Sequence, residues 1–176
     1  MFWRRLCAAG RYGSPALLAL LWSENAMALP TQTFQVSAAI TSGCTISGSN
    51  TSVFGALNFG TQSGVGTASV RANYVQSSNI NIACTPGTSL SMSINGGSNY
   101  TTTRNLKLAN FSNTVAYRLY SNANYSAASE IPVNQNVALS YSNANNIILP
   151  IYGLLQLSGV QRAGSYSDTL TVTLSW

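Results

Sequence analysis

From residue 33 onward the apolar positions recur with a period of two. Short alternating runs are separated by clusters of Gly, Asn, Ser and Pro about every ten residues. No stretch shows the 3.6-residue stripe of an amphipathic helix, so the pattern predicts an all-β chain. Six strands are expected at Thr33 to Ile40, Asn79 to Cys84, Leu90 to Ile94, Thr114 to Tyr120, Asn146 to Tyr152 and Leu170 to Trp176. Leu57 to Gly60, Ser69 to Val75 and Val137 to Tyr141 are weaker candidates. Pro86-Gly87 and Asn95-Gly96-Gly97 flank the Leu90 strand as turns. The Ser/Asn-rich stretches 98–113, with Arg104 and Lys107, and 121–136 read as loops.

Two alternating runs stand out. Phe34, Val36, Ala38 and Ile40 share one face of the first, opposite Thr33, Gln35, Ser37 and Ala39. Leu170, Val172, Leu174 and Trp176 share one face of the last, opposite Thr169, Thr171, Thr173 and Ser175. Each is a strand with one face to bury. The first has two readings: an ordinary first strand of a closed domain, or a detachable arm that pairs with another subunit.

Charge narrows the chemistry. Of 176 residues only 6% are charged, 45% are hydrophobic and none is histidine. Ser, Thr and Asn make up roughly a third, so the surface is neutral and polar. Without histidine, Ser-His, Cys-His and His-metal chemistry are excluded. Residues 1–28 read as a cleaved secretory signal peptide: Arg4 and Arg5 precede the apolar run Pro15 to Trp22, and Ala26-Met27-Ala28 fits a cleavage site. About 148 residues follow, enough for one domain. Their charge is about +3, from Arg71, Arg104, Lys107, Arg118 and Arg162 against Glu130 and Asp168, which leaves no basic footprint for nucleic acid. Removal of Cys7 with the signal leaves Cys44 and Cys84, whose default state in an exported chain is a disulfide. It closes a loop of roughly 40 residues, worth about 3 to 4 kcal/mol. A two-thiol metal site is the alternative, with neither CxxC spacing nor histidine to complete it.

Several motifs together resemble the spore coat protein U domain family, which includes the pilins of archaic, Csu-type chaperone-usher pili. They are the first alternating strand with Thr41-Ser42-Gly43-Cys44, Leu57-Asn58-Phe59-Gly60, Ile82-Ala83-Cys84, Val115 to Tyr120, Ile151-Tyr152-Gly153, and the stretch from Gly164-Ser165-Tyr166-Ser167-Asp168-Thr169-Leu170 to Trp176. The resemblance implies an incomplete immunoglobulin-like β-sandwich lacking its last strand, with an N-terminal donor-strand extension at 29–42 and the sandwich domain at 43–176. It implies a structural pilus subunit polymerising by donor-strand complementation to support adhesion and biofilm formation. The implied donor residues are Phe34, Val36, Ala38 and Ile40, with Leu170, Val172, Leu174 and Trp176 beside the acceptor groove. Ala38 is small where a bulky residue would grip better. The implied partners are neighbouring subunits head to tail, a periplasmic chaperone and an outer-membrane usher, with export through the periplasm to the cell surface. No cofactor, metal or catalytic residue is implied.

Other classes have less support in the residues. Glu130 and Asp168 are the minimum pair for glycoside hydrolysis, and nothing in the sequence places them together. Tyr117-Arg118-Leu119-Tyr120 reads as a strand with its charge in solvent, ahead of an aromatic-basic binding strip. A coat component or minor tip-proximal adhesive subunit with the same domain is one alternative. A small outer-membrane barrel is another, but the strands are shorter than the roughly 9 to 11 residues a crossing requires, so membrane insertion is not expected.

Overall fold

The computed structural model describes residues 34–49 and 53–176; the expected signal peptide, 1–28, lies outside them. The described strands are β1 (Cys44–Gly48), β2 (Gly55–Leu57), β3 (Ser69–Gln76), β4 (Ile80–Cys84), β5 (Leu90–Ile94), β6 (Arg104–Leu108), β7 (Thr114–Tyr120), β8 (Val137–Leu139), β9 (Tyr152–Gln156), β10 (Tyr166–Ser167) and β11 (Val172–Ser175). One 3-10 turn, Ala127–Ser129, lies in the expected loop 121–136. The described chain is all-β.

Period-two alternation produces this architecture directly. In β5 Leu90, Met92 and Ile94 are buried, and in β7 Val115, Tyr117 and Leu119 are. All six belong to one apolar cluster. β7 lies inside a six-stranded antiparallel sheet of order β10-β6-β7-β9-β3-β2, whereas β5 is central in a three-stranded sheet, β11-β5-β8. The shared cluster, with Ile82 of the β1-β4 pair, is the core between these layers. Arg118 points outward and pairs with Glu130 at 2.9 Å, an exposed ion pair worth under about 1 kcal/mol. This matches the strand reading of 117–120.

The Cys44–Cys84 disulfide joins the first residue of β1 to the last of β4, where the two are register partners. After it, Thr85 to Thr88 form a turn around Pro86-Gly87, closed by the Thr88 N–H donating to the Thr85 carbonyl at 3.1 Å.

Besides the Leu57 to Gly60 candidate, where β2 ends at Leu57, three expectations need correction. Residues 34–40 carry no strand, since a strand exists only against a neighbour. The run expected at Asn146 to Tyr152 enters a strand only at Tyr152. Its parity is nonetheless as expected, with Ile147, Leu149 and Ile151 buried. Pro150 has no N–H for a ladder. The side chain of Gln76 fills in, donating to the Ile147 carbonyl at 3.1 Å and accepting from the Leu149 N–H at 3.3 Å. The third correction is β6, which lies inside the expected loop 98–113 because Arg104 is a core residue.

Arg104 is only 4% exposed. Its guanidinium donates to the carbonyls of Asn95 (2.9 Å), Ile131 (2.8 Å), Ile94 (3.0 Å) and Pro132 (3.3 Å). Burial lowers its pKa, partly offset by the fields of Tyr117 and Glu130. A planar fork of five donors suits this cluster of carbonyls, and Arg stays charged when desolvated. One side chain on β6 thereby ties the six-stranded sheet to the end of β5 and the 131–132 segment. Arg104→Ala is expected to lower unfolding stability by about 3 kcal/mol, since buried carbonyls lose a charged donor. Urea denaturation reads this out, and a loss under about 1 kcal/mol would show that water replaces the guanidinium.

Candidate functional site

β11 is an edge strand: among the described residues its one neighbour is β5. That pairing extends past the end of β5. The Asn95 N–H donates to the Thr171 carbonyl at 3.1 Å, and the Thr171 N–H donates to Asn95 Oδ1 at 2.9 Å. Among the described residues β1 has only β4 as a neighbour, and β2 only β3. The open edges of β11, β1 and β2 belong to three different sheets.

A cavity of about 560 Å³ lies between Val53 to Leu57, at the β2 edge, and Asp168 to Val172, leading into β11. Core side chains also line it, among them Ile94, Leu106, Leu119 and Ile151. A second cavity of about 640 Å³ is formed by Leu57 to Gly64 and Gln161 to Asp168. Leu57, Phe59, Leu106 and Asp168 line both, so the two adjoin, and together they make up a trough beside the core. The trough is apolar where it meets the core and flanked by unpaired strand edges, which suits an added β-strand carrying apolar side chains at alternate positions.

Leu170, Val172 and Leu174 are half-buried and pack on the core, with the threonines of the opposite parity exposed. Trp176 departs from them at 59% exposure. It lies beyond Ser175, the last residue paired with β5, and its indole nitrogen approaches Gly43. Phe34, Val36 and Ile40 are 85%, 82% and 88% exposed, and Ala38 is exposed too. Val65 and Val160, at 82% and 83%, are exposed to the same degree, so what sets the 34–40 run apart is the alternation of its exposed apolar residues. The carboxylates have separate partners: Glu130 faces Arg118, while Asp168 accepts from Tyr117 and Asn99.

Sequence reasoning missed Arg104, because nothing local marks an arginine as buried, and gave Tyr74 and Tyr117 no role, although Tyr117 shares the parity of Val115 and Leu119 in β7. Tyr74 lines the first cavity, and its hydroxyl is buried with no hydrogen-bond partner among the described residues. β2 covers it through Gly55, where a Cβ would lie 2.7 Å from that hydroxyl oxygen, so only glycine allows the approach. Burial pushes the Tyr74 hydroxyl up to about 12 from its usual 10.0. Burial, reinforced by the hydrogen bond to Asp168, raises that of Tyr117 as well.

Two outcomes are expected. Unfolded tyrosines ionise near pH 10, while the folded chain holds both protons. The stability contribution is therefore full below about pH 10 and is lost as the pH rises towards about 12. Denaturant midpoints measured from pH 8 to pH 12 are expected to fall above about pH 10, and Tyr74→Phe to reduce that fall; an unchanged slope in the variant would contradict the assignment. At pH 7 the same variant is expected to be more stable by about 1 kcal/mol, having lost a buried unpaired hydroxyl.

Comparison with known proteins adds family membership. The model of the Spore Coat Protein U domain matches residues 30–173. No curated protein matches the chain. Among solved structures, the chaperone-tip adhesion subunit pre-assembly complex CsuC-CsuE, from the archaic chaperone-usher Csu pili of Acinetobacter baumannii, is similar at 17% identity with a TM-score of 0.47. That match covers 78% of this chain and 40% of the other.

Proposed function

The chain belongs to the Spore Coat Protein U domain family, and from that premise we propose that it is a structural pilus subunit polymerising by donor-strand complementation. In this reading residues 1–28 are a cleaved signal, 29–42 are the donor arm, and 43–176 are an immunoglobulin-like sandwich lacking its last strand. A neighbouring copy's arm enters the trough and completes it. The periplasmic chaperone fills the trough until the usher exchanges it for that arm. The product is a fibre on the cell surface that supports adhesion and biofilm formation.

One juxtaposition carries the reading: an open β11 edge beside an apolar trough, in a chain that also bears an unpaired run with alternate apolar residues. An inserted strand forms main-chain hydrogen bonds along that edge and buries Phe34, Val36 and Ile40, each worth roughly 1.5 to 3 kcal/mol. Ala38 adds little and marks the shallowest grip. Because arm and trough are different surfaces, the contact is heterologous and does not close on itself, so it propagates. An unfilled trough leaves an edge open to aggregation, which gives the chaperone its role.

Appending a second copy of residues 31–41 after Trp176 through a short linker is expected to convert an aggregating or chaperone-dependent chain into a soluble monomer, read by light scattering. If the unextended chain, freed of residues 1–28, is equally monomeric and stable without a chaperone, the proposal is wrong.

A further inference from the structure

Asp168 is the residue at which the chain leaves one layer for the other. β10, ending at Ser167, belongs to the six-stranded sheet, and the segment that follows pairs with β5. Asp168 also lines both cavities, so it stands where the two parts of the trough meet.

Its carboxylate is held from two sides. Oδ2 accepts from the Tyr117 hydroxyl at 2.7 Å, which ties it to the middle of the six-stranded sheet. Oδ1 accepts from the Asn99 N–H at 3.2 Å and from Asn99 Nδ2 at 3.1 Å. Asn99 lies in the 95–103 loop, which the buried Asn105 holds by donating to the Asn99 and Thr103 carbonyls and to Thr101 Oγ1. The backbone has been shaped around the carboxylate: Gly97 has φ +86°, and a Cβ there would lie 2.1 Å from Asp168 Oδ2. Asn95-Gly96-Gly97, legible in the sequence only as a turn, is the cradle for this group. Three hydrogen bonds converge on the two oxygens, and a carboxylate accepts all three.

We propose that Asp168, through Tyr117 and Asn99, is the positioning residue of the trough, fixing the 168–172 wall at the separation an incoming strand requires. The inference rests on the strand-accepting reading given above and extends it. With the clamp in place the wall is held before any strand arrives, so binding costs no reordering of that segment. Without it, Thr169 and Leu170 are free to drift over the core and close the first cavity.

The test uses the full chain, refolded at nanomolar concentration where self-association is dilute, and a fluorescent peptide of residues 29–42 as probe. Asp168→Ala and Tyr117→Phe are compared with Leu139→Ala, a buried β8 residue lining neither cavity. At matched loss of thermal stability, the first two variants are expected to bind the peptide about tenfold or more weakly than wild type, and the third within about twofold. If peptide affinity instead follows thermal stability across all three, Asp168 has only a structural role and the inference falls. If the wild-type chain itself does not bind the peptide, the strand-accepting reading fails, and this inference with it.

Discussion

A β-sheet must pair every peptide group that it buries, and the molecule is organised around a place where that demand is unmet. β11 is bonded to β5 on one side, and among the described residues no strand lies on the other. Beside that open edge lies a cavity of about 560 Å³, lined in part by the core residues Ile94, Leu119 and Ile151. An unpaired edge and an apolar trough are each costly in water, and one added strand resolves both. The low charge and Ser/Thr/Asn-rich surface fit the same picture. In such a shell, backbone pairing is the interaction that the proposed assembly uses.

Covalent and polar ties fix the rest of the structure. The Cys44–Cys84 disulfide fixes the start of β1 to the end of β4. Arg104 does without a carboxylate partner and spends its donors on four carbonyls at the end of β5 and at residues 131–132. Asn95, one of those acceptors, uses its own side chain to receive the Thr171 N–H. The wall of the trough is therefore linked through Asn95 to a buried cation, and through Asp168 to Tyr117. These polar groups are satisfied by specific partners, which favours one arrangement of the edge over the many that apolar packing alone would tolerate.

What was legible in the sequence was local. Parity follows from neighbouring residues, and in the last run Leu170, Val172 and Leu174 lie on the one apolar face expected of them and pack on the core. What was hidden was non-local. β6 looked like a loop because it lies in a Ser/Asn-rich stretch, and only the fold brings four carbonyls to its Arg104. Residues 146–151 had the right alternation, but Gln76 takes part of the role a ladder strand would have. The trough itself could not be read, because it is formed by segments more than 100 residues apart, Val53 to Leu57 and Asp168 to Val172. Only the two amphipathic runs hinted that a strand was offered in one place and wanted in another.

The central claim is that the 34–41 run finds its pairing in another copy of the chain, along the β11 edge. Hydrogen exchange of the isolated chain and of assembled material tests it directly. The account predicts that amides of residues 34–41 exchange rapidly in the isolated chain and become protected on assembly, together with those of 168–175. Rapid exchange of 34–41 in the assembled material would contradict it.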